Sequence, residues 1–173
     1  RLCALVAFIM LGPRTRVPKK PMMPHSLPMT VTGAAMLWVG WFGFNGGSAL
    51  GANGDAASAL VVTQISAATA TLVWMFVEWA KHGKPSMLGA ATGAIAGLAA
   101  ITPASGSVGP VGALVIGALS GFICWWASTV LKLKLGYDDS LDVFGVHGVG
   151  GFIGTIMLGV FMAPAFAGVG GEG

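Results

Sequence analysis

Long apolar runs, separated by short clusters of Gly, Pro and charged residues, divide this chain, and most of them carry no polar stripe. A short run from Leu2 to Leu11 opens the sequence, and five longer ones follow: Leu27 to Asn45, Ala56 to Ala80, Met87 to Thr102, Gly109 to Leu131 and Leu141 to Ala163. A helix needs about 20 residues to cross roughly 30 Å of hydrocarbon. The pattern therefore predicts an all-α, polytopic bundle of transmembrane helices, a single domain over 1–173. The opening run is too short to cross and is expected to be the end of a severed span. The chain begins without an initiator Met, a charged n-region or a small-residue cleavage site, so no signal peptide is read and the start looks cut.

Composition points the same way. Of 173 residues 55% are hydrophobic and only 9% charged, against roughly 25% charged in a soluble domain, and the mean hydropathy is +0.81. Too few charges exist for a water-facing surface, so the expected solvent is a lipid bilayer, that of the cell membrane. The net charge of +3 does not indicate a nucleic-acid partner, because the basic residues sit in small groups rather than on one face. Those groups orient the chain: Arg14, Arg16, Lys19 and Lys20 lie in the first loop, Lys81 and Lys84 in the third, Lys132 and Lys134 at the fifth. By the positive-inside rule the odd-numbered loops are cytoplasmic, and segments 45–48 and 103–106 and the Gly-rich tail face outward.

Cys3 and Cys124 lie in apolar runs without CxxC spacing, which suits buried thiols rather than disulfides or zinc. Walker, GxGxxG, HExxH and paired-carboxylate patterns are missing, so neither an enzyme nor a cofactor is indicated. Glycines recur at helical spacing, at Gly89, Gly93 and Gly97 and at Gly117 and Gly121. Such spacing predicts close helix crossings and says nothing about a substrate.

The candidate chemistry starts at His147, in Asp-Val-Phe-Gly-Val-His-Gly-Val-Gly-Gly at 142–151. It lies roughly 9 Å along its helix from Leu141, at a rise of about 1.5 Å per residue, inside the bilayer core. An ionisable group there faces a bundle interior or a pathway, and the bland alternative is a neutral imidazole bonded to a carbonyl. Small neighbours, Gly145, Gly148, Gly150 and Gly151, would let a small solute approach. Imidazole can accept or donate a hydrogen bond while uncharged, and exchange a proton near neutral pH.

The second constellation is Gly40-Trp41-Phe42-Gly43-Phe44-Asn45-Gly46-Gly47-Ser48. Its rings read either as interfacial anchors or as a mouth where a ring face and the Ser48 hydroxyl recruit a small cation, with Phe44 plugging the passage below. Asp142 is expected to cap the His147 helix. Glu78 is read as a surface partner of Lys81, His25 and His82 as solvated loop residues, and Trp74, Trp79, Trp125 and Trp126 as belt residues.

These blocks, with Gly-Ala-Ile-Ala-Gly-Leu at 93–98 and Thr102-Pro103-Ala104 after it, resemble the ammonium transporter family of the Amt, Mep and Rhesus type, most of all its bacterial members. The resemblance runs through the whole chain. It implies that His147 is one of two pore histidines, that Phe44 is the inner ring of a paired phenylalanine gate, that Ser48 lies at the external recruiting site, and that Trp41 and Val143 line the passage. Asn45 and Asp142 are the structural members of the same blocks.

The family fold has eleven spans in inverted repeats, and here the end of span five through span ten would be present. Homotrimers, ammonium or ammonia as substrate with methylammonium as analogue, and a cytoplasmic PII-type signalling protein as partner are further implications. The partner histidine and the outer gate ring of the first repeat are absent from this sequence, so transport is expected only of a longer parent. Alternatives are a channel for another small neutral solute, an ammonium sensor, and, more remotely, a haem protein using His147 as ligand.

Overall fold

The computed structural model describes residues 6–7, 10–12 and 23–162. The expectations placed on Cys3, on the basic residues between 14 and 20, on most of the opening run and on the Gly-rich tail lie outside the described residues. Within them there is no strand; residues 6–7 and 10–11 are helical, and from residue 23 onward five helices follow one another: α1 Leu27–Gly47, α2 Gly54–His82, α3 Met87–Ile101, α4 Pro110–Leu135 and α5 Val143–Phe161. All but α3 are long and apolar enough to cross a membrane. The fold is an all-α bundle of the transmembrane kind.

Each helix starts where a side chain or a proline can deal with its free amides. Ser26 accepts from the Met29 N–H to begin α1, Asn53 from Ala56 to begin α2, and Ser86 from Gly89 to begin α3, while Pro110 stands in the first turn of α4. Gly83 (φ 77°) closes α2 and Gly136 (φ 64°) closes α4, both left-handed. That conformation costs glycine nothing.

Directions follow from what the glycines touch. A Cβ on Gly93 would meet the Cβ of Trp74 at 2.7 Å, and one on Gly97 the carbonyl oxygen of Ser66 at 2.5 Å, so α3 runs antiparallel to α2. On α4, Gly117 lies against Ser66 and Gly121 against Ala70, so α4 runs parallel to α2. On α5, Gly150 faces Ala96 and Gly154 faces Ala100, which makes it parallel to α3. Lys81, Lys84, Lys132 and Lys134 thereby gather at one end of the bundle, called here the lysine end.

α3 touches all four other helices and is the centre of the bundle. At 15 residues it is about 22 Å long at 1.5 Å per residue, short of a full crossing. The backbone beyond it leaves helical geometry while still inside the protein, since Ile101, Ala104 and Val108 are buried. Irregular backbone at that depth is tolerated because protein, not lipid, surrounds it.

Two apolar cores flank α3. One holds Val62, Ile101, Val108, Ile116 and Phe161, and the other Trp74, Ala96, Cys124, Trp125, Val146 and Ile153. The second core corrects the belt assignment of two tryptophans. Trp74 and Trp125 are 3% and 6% exposed, whereas Trp79 and Trp126 are exposed as belt residues would be. Indoles on the inner face of α2 and α4 fill volume that the small residues of α3 leave open.

Glu78 also differs from expectation. Its carboxylate accepts from the Ser86 N–H at 2.7 Å, the Ser86 hydroxyl at 3.2 Å and the Trp74 indole at 3.3 Å, so it clasps the start of α3 to the end of α2.

Candidate functional site

α1 contributes Trp41 and Phe44, and Ser48 caps its end with helical backbone angles, so spacings of three and four put the three on one stripe. Thr30, Ala34 and Leu37 continue that stripe toward the lysine end and line a groove of about 300 Å³ together with Thr92 and Ile95 of α3 and Val146 and His147 of α5. His147 therefore sits where the groove ends and the aromatic stretch begins. Its ring is stacked beneath Trp41, centroids 6.3 Å apart and planes 11° from parallel, and the Phe44 ring meets Trp41 edge-on at 6.2 Å. The structure thus brings Trp41, Phe44 and His147 together, with Ser48 one turn beyond.

The indole is held in place by a hydrogen-bonded chain. Trp41 Nε1 donates to Thr102 Oγ1 at 2.7 Å, and that hydroxyl donates in turn to the Leu98 carbonyl, also at 2.7 Å. With its one donor committed, the indole has only its π-face to offer at the site, and a π-face attracts cations. Thr102 was not singled out from the sequence as a site residue. Its place at the buried end of α3 is what makes it one.

Ser48 donates its hydroxyl proton to the Phe44 carbonyl at 2.8 Å. The oxygen lone pairs that remain can only accept, which suits a donor such as an N–H. Phe44 is 60% exposed along this chain. Asn45 is buried and gives its amide to Thr63 Oγ1 at 2.9 Å, which in turn donates to the Ala59 carbonyl. It ties α1 to α2 and keeps the stripe facing α5.

His147 is carried by an unusual start to α5. Residues Val143–Gly148 form a π-helical turn, and a second one, Ala127–Leu131, interrupts α4 beside it. Turns of this kind contain one residue more than an α-turn and often occur at functional sites. Nearby glycines serve the fit: a Cβ on Gly145 would stand 2.5 Å from Ser128 Oγ, and one on Gly150 3.4 Å from Cys124 Sγ. These two glycines pack α5 onto α4 rather than opening space around the imidazole.

Asp142 does not cap this helix. Its backbone is left-handed (φ 51°), and its carboxylate pairs with Lys132 instead. Burial pushes the Asp142 carboxyl up, and Asp139 adds to that, against the opposing pull of Lys132. Capping falls to Asp139, which takes the Val143 N–H at 2.8 Å on Oδ1 and the Phe144 and Gly145 N–H groups at 2.8 and 3.2 Å on Oδ2. Sequence rules for caps look two or three residues ahead, and Asp139 reaches four to six, so only the row of carboxylates in Asp-Asp-Ser-Leu-Asp at 138–142 could have hinted at it.

Val143 lies in the same turn, half-buried, with its amide on Asp139; Leu141 and Val146 rather than Val143 line the groove. Tyr137 completes the corner, buried and edge-on to Phe144 at 5.8 Å. Burial, with the charges of Asp139 and Asp142, pushes its phenol up to about 12. The other two histidines of the sequence, His25 and His82, are exposed and are not among the residues that line the groove. Among the described residues no cluster of His, Cys, Asp or Glu could hold a metal ion.

This arrangement can be compared with known proteins. Residues 2–172 match the Ammonium Transporter Family. The ammonium transporter Amt1 of Archaeoglobus fulgidus is 49% identical over 168 residues, which cover 97% of this chain and 42% of that protein. The crystal structure of Saccharomyces cerevisiae Mep2 superposes with a TM-score of 0.84 at 40% identity, over 95% of this chain and 36% of that one. A structure described as a sensor Amt protein superposes at 0.86 with 34% identity, over 95% and 41%. The chain spans about two fifths of the length of the relatives it matches. On sequence and fold together, it belongs to the Ammonium Transporter Family.

Proposed function

We propose that these residues form one half of a pore that passes ammonium as ammonia, within a longer protein of the cell membrane. The observation that carries this reading is the stacking of Trp41 on His147 between an aromatic stretch and an apolar groove. Moving a bare cation into such surroundings costs tens of kcal/mol in the idealised limit, about 20 for an ammonium-sized ion. Neutral ammonia has only hydrogen bonds to replace, and an imidazole can supply them from either ring nitrogen.

In this reading ammonium is recruited at the Ser48 end by an acceptor oxygen and ring faces, and leaves its proton in the water there. It passes Phe44 and Trp41 as ammonia, is handed along by His147, and regains a proton beyond the groove. Leu141 and Val146 wall the groove beside the imidazole, and Val143 stands off it in the turn that carries His147. The lysine end is cytoplasmic. The apolar faces left open on this chain, among them Met36 and Val39 of α1 and Phe76 and Phe122 on α2 and α4, are covered by lipid, by the remaining spans or by sister copies in a homotrimer. A cytoplasmic PII-type protein is assigned to the lysine end as a regulator.

Methylammonium flux into vesicles holding the full-length protein tests the assignment. His147→Ala is expected to lower flux by about tenfold or more, the loss of roughly one hydrogen bond in a dry passage, and unchanged flux would remove the role given to that residue. A sensor is the second reading, favoured by the superposition on the sensor Amt protein. Saturable ammonium binding with no flux would select it.

A further inference from the structure

We propose that Asp139 is a positioning residue for His147, acting through the π-helical turn that carries the imidazole; this rests on His147 being a pore residue. Both carboxylate oxygens of Asp139 are spent on the first three amides of α5, those of Val143, Phe144 and Gly145. Free amides at a helix start otherwise need water or another acceptor, and a carboxylate meets them with charge as well as geometry. The last of these amides is two residues before His147.

Asp139 is itself anchored to α4. Lys132 Nζ donates to its carbonyl at 3.2 Å, and the same ammonium pairs with the Asp142 carboxylate. The next turn continues from Asp142, whose carbonyl accepts the Val146 N–H at 2.8 Å. On the outer side of the turn, Phe144 is packed edge-on against buried Tyr137. Lys132, Asp139, the turn and the imidazole beneath Trp41 are thereby one mechanical chain. The depth and rotation of the ring depend on a side chain eight positions earlier in the sequence.

The test uses the full-length protein containing this chain, reconstituted in lipid vesicles, with two readouts. One is methylammonium uptake; the other is the 15N resonance of the His147 imidazole in solid-state spectra. Asp139→Ala is expected to lower maximal uptake by about tenfold, the size of a lost cap, with KM within about twofold because Ser48 is untouched, and to displace the His147 resonances. Asp139→Asn, which keeps an acceptor oxygen, is expected to recover part of both. Glu78→Gln is the control, since it takes one acceptor from another clasp at the lysine end without touching α5, and should leave the His147 resonances in place.

Unmoved His147 resonances in folded Asp139→Ala, or an equal displacement by Glu78→Gln, would overturn the proposal. Should Asp139→Ala not fold, the Asn variant decides by the same spectra. Absence of uptake in the unaltered protein would sink the transport reading alone, because the resonances still report whether Asp139 sets the ring.

Discussion

At the scale of single residues, the corner between α4 and α5 concentrates the polar chemistry of the chain. Tyr137 is buried beside two carboxylates, and the folded protein holds its phenol proton to about pH 12. An unfolded chain releases that proton near pH 10, so the folded form binds the proton more tightly and loses stability as pH rises through the window between the two. Thermal melting in detergent should accordingly fall more steeply between pH 10 and 12 for the native sequence than for Tyr137→Phe. Equal slopes would mean that this phenol does not contribute. His147 and the block at 40–48 draw attention by residue type and position, and the family resemblance is what gives Trp41, Phe44 and Ser48 their expected places. Sequence reading missed Thr102 and Asp139, whose importance comes from what they bond across the fold, and it gave the cap to Asp142, whose left-handed backbone turns its carboxylate to Lys132.

At the scale of helices, legibility was higher, because a transmembrane helix is written as an apolar run and its crossings as spaced glycines. Gly97 and Gly117 both press on the Ser66 carbonyl, at 2.5 and 2.6 Å for a notional Cβ, so α2, α3 and α4 meet with backbone almost in contact. Any larger side chain there must separate two helices. Gly97→Leu is expected to destabilise by about 1–3 kcal/mol, the range for overpacking a filled core, whereas Gly40→Leu on the exposed face of α1, where a Cβ meets nothing within 4 Å, should cost far less. Melting of the two variants in the same detergent compares them directly. What the apolar pattern could not convey is the pair of π-turns, since one additional residue in a run of apolar residues leaves no mark on its hydropathy. Nor could it separate Trp74 and Trp125 from Trp79 and Trp126, because inward and outward faces are both apolar in a membrane bundle.

At the scale of the whole molecule, α2 to α5 form a packed unit around α3, and α1 leans on it with only Asn45 and Gly46 fully buried. The positive-inside assignment makes a separate prediction. Cysteines placed at Lys81 and Lys134 should both react with a membrane-impermeant thiol reagent from the cytoplasmic side alone, and one at exposed Leu50 from the other side. Labelling of Lys81 and Lys134 positions from opposite faces would break the topology.

The paired π-turns have a bearing on how this chain can vary in length. Each α-helical residue advances the helix face by about 100°, so removing one residue from Val143–Gly148 would let α5 relax to ordinary winding and swing the imidazole away from the indole, while Gly150 and Gly154 stayed seated on α3. Insertions and deletions are therefore barred from that short stretch, and the exposed link between α1 and α2 is where added or missing residues can be absorbed.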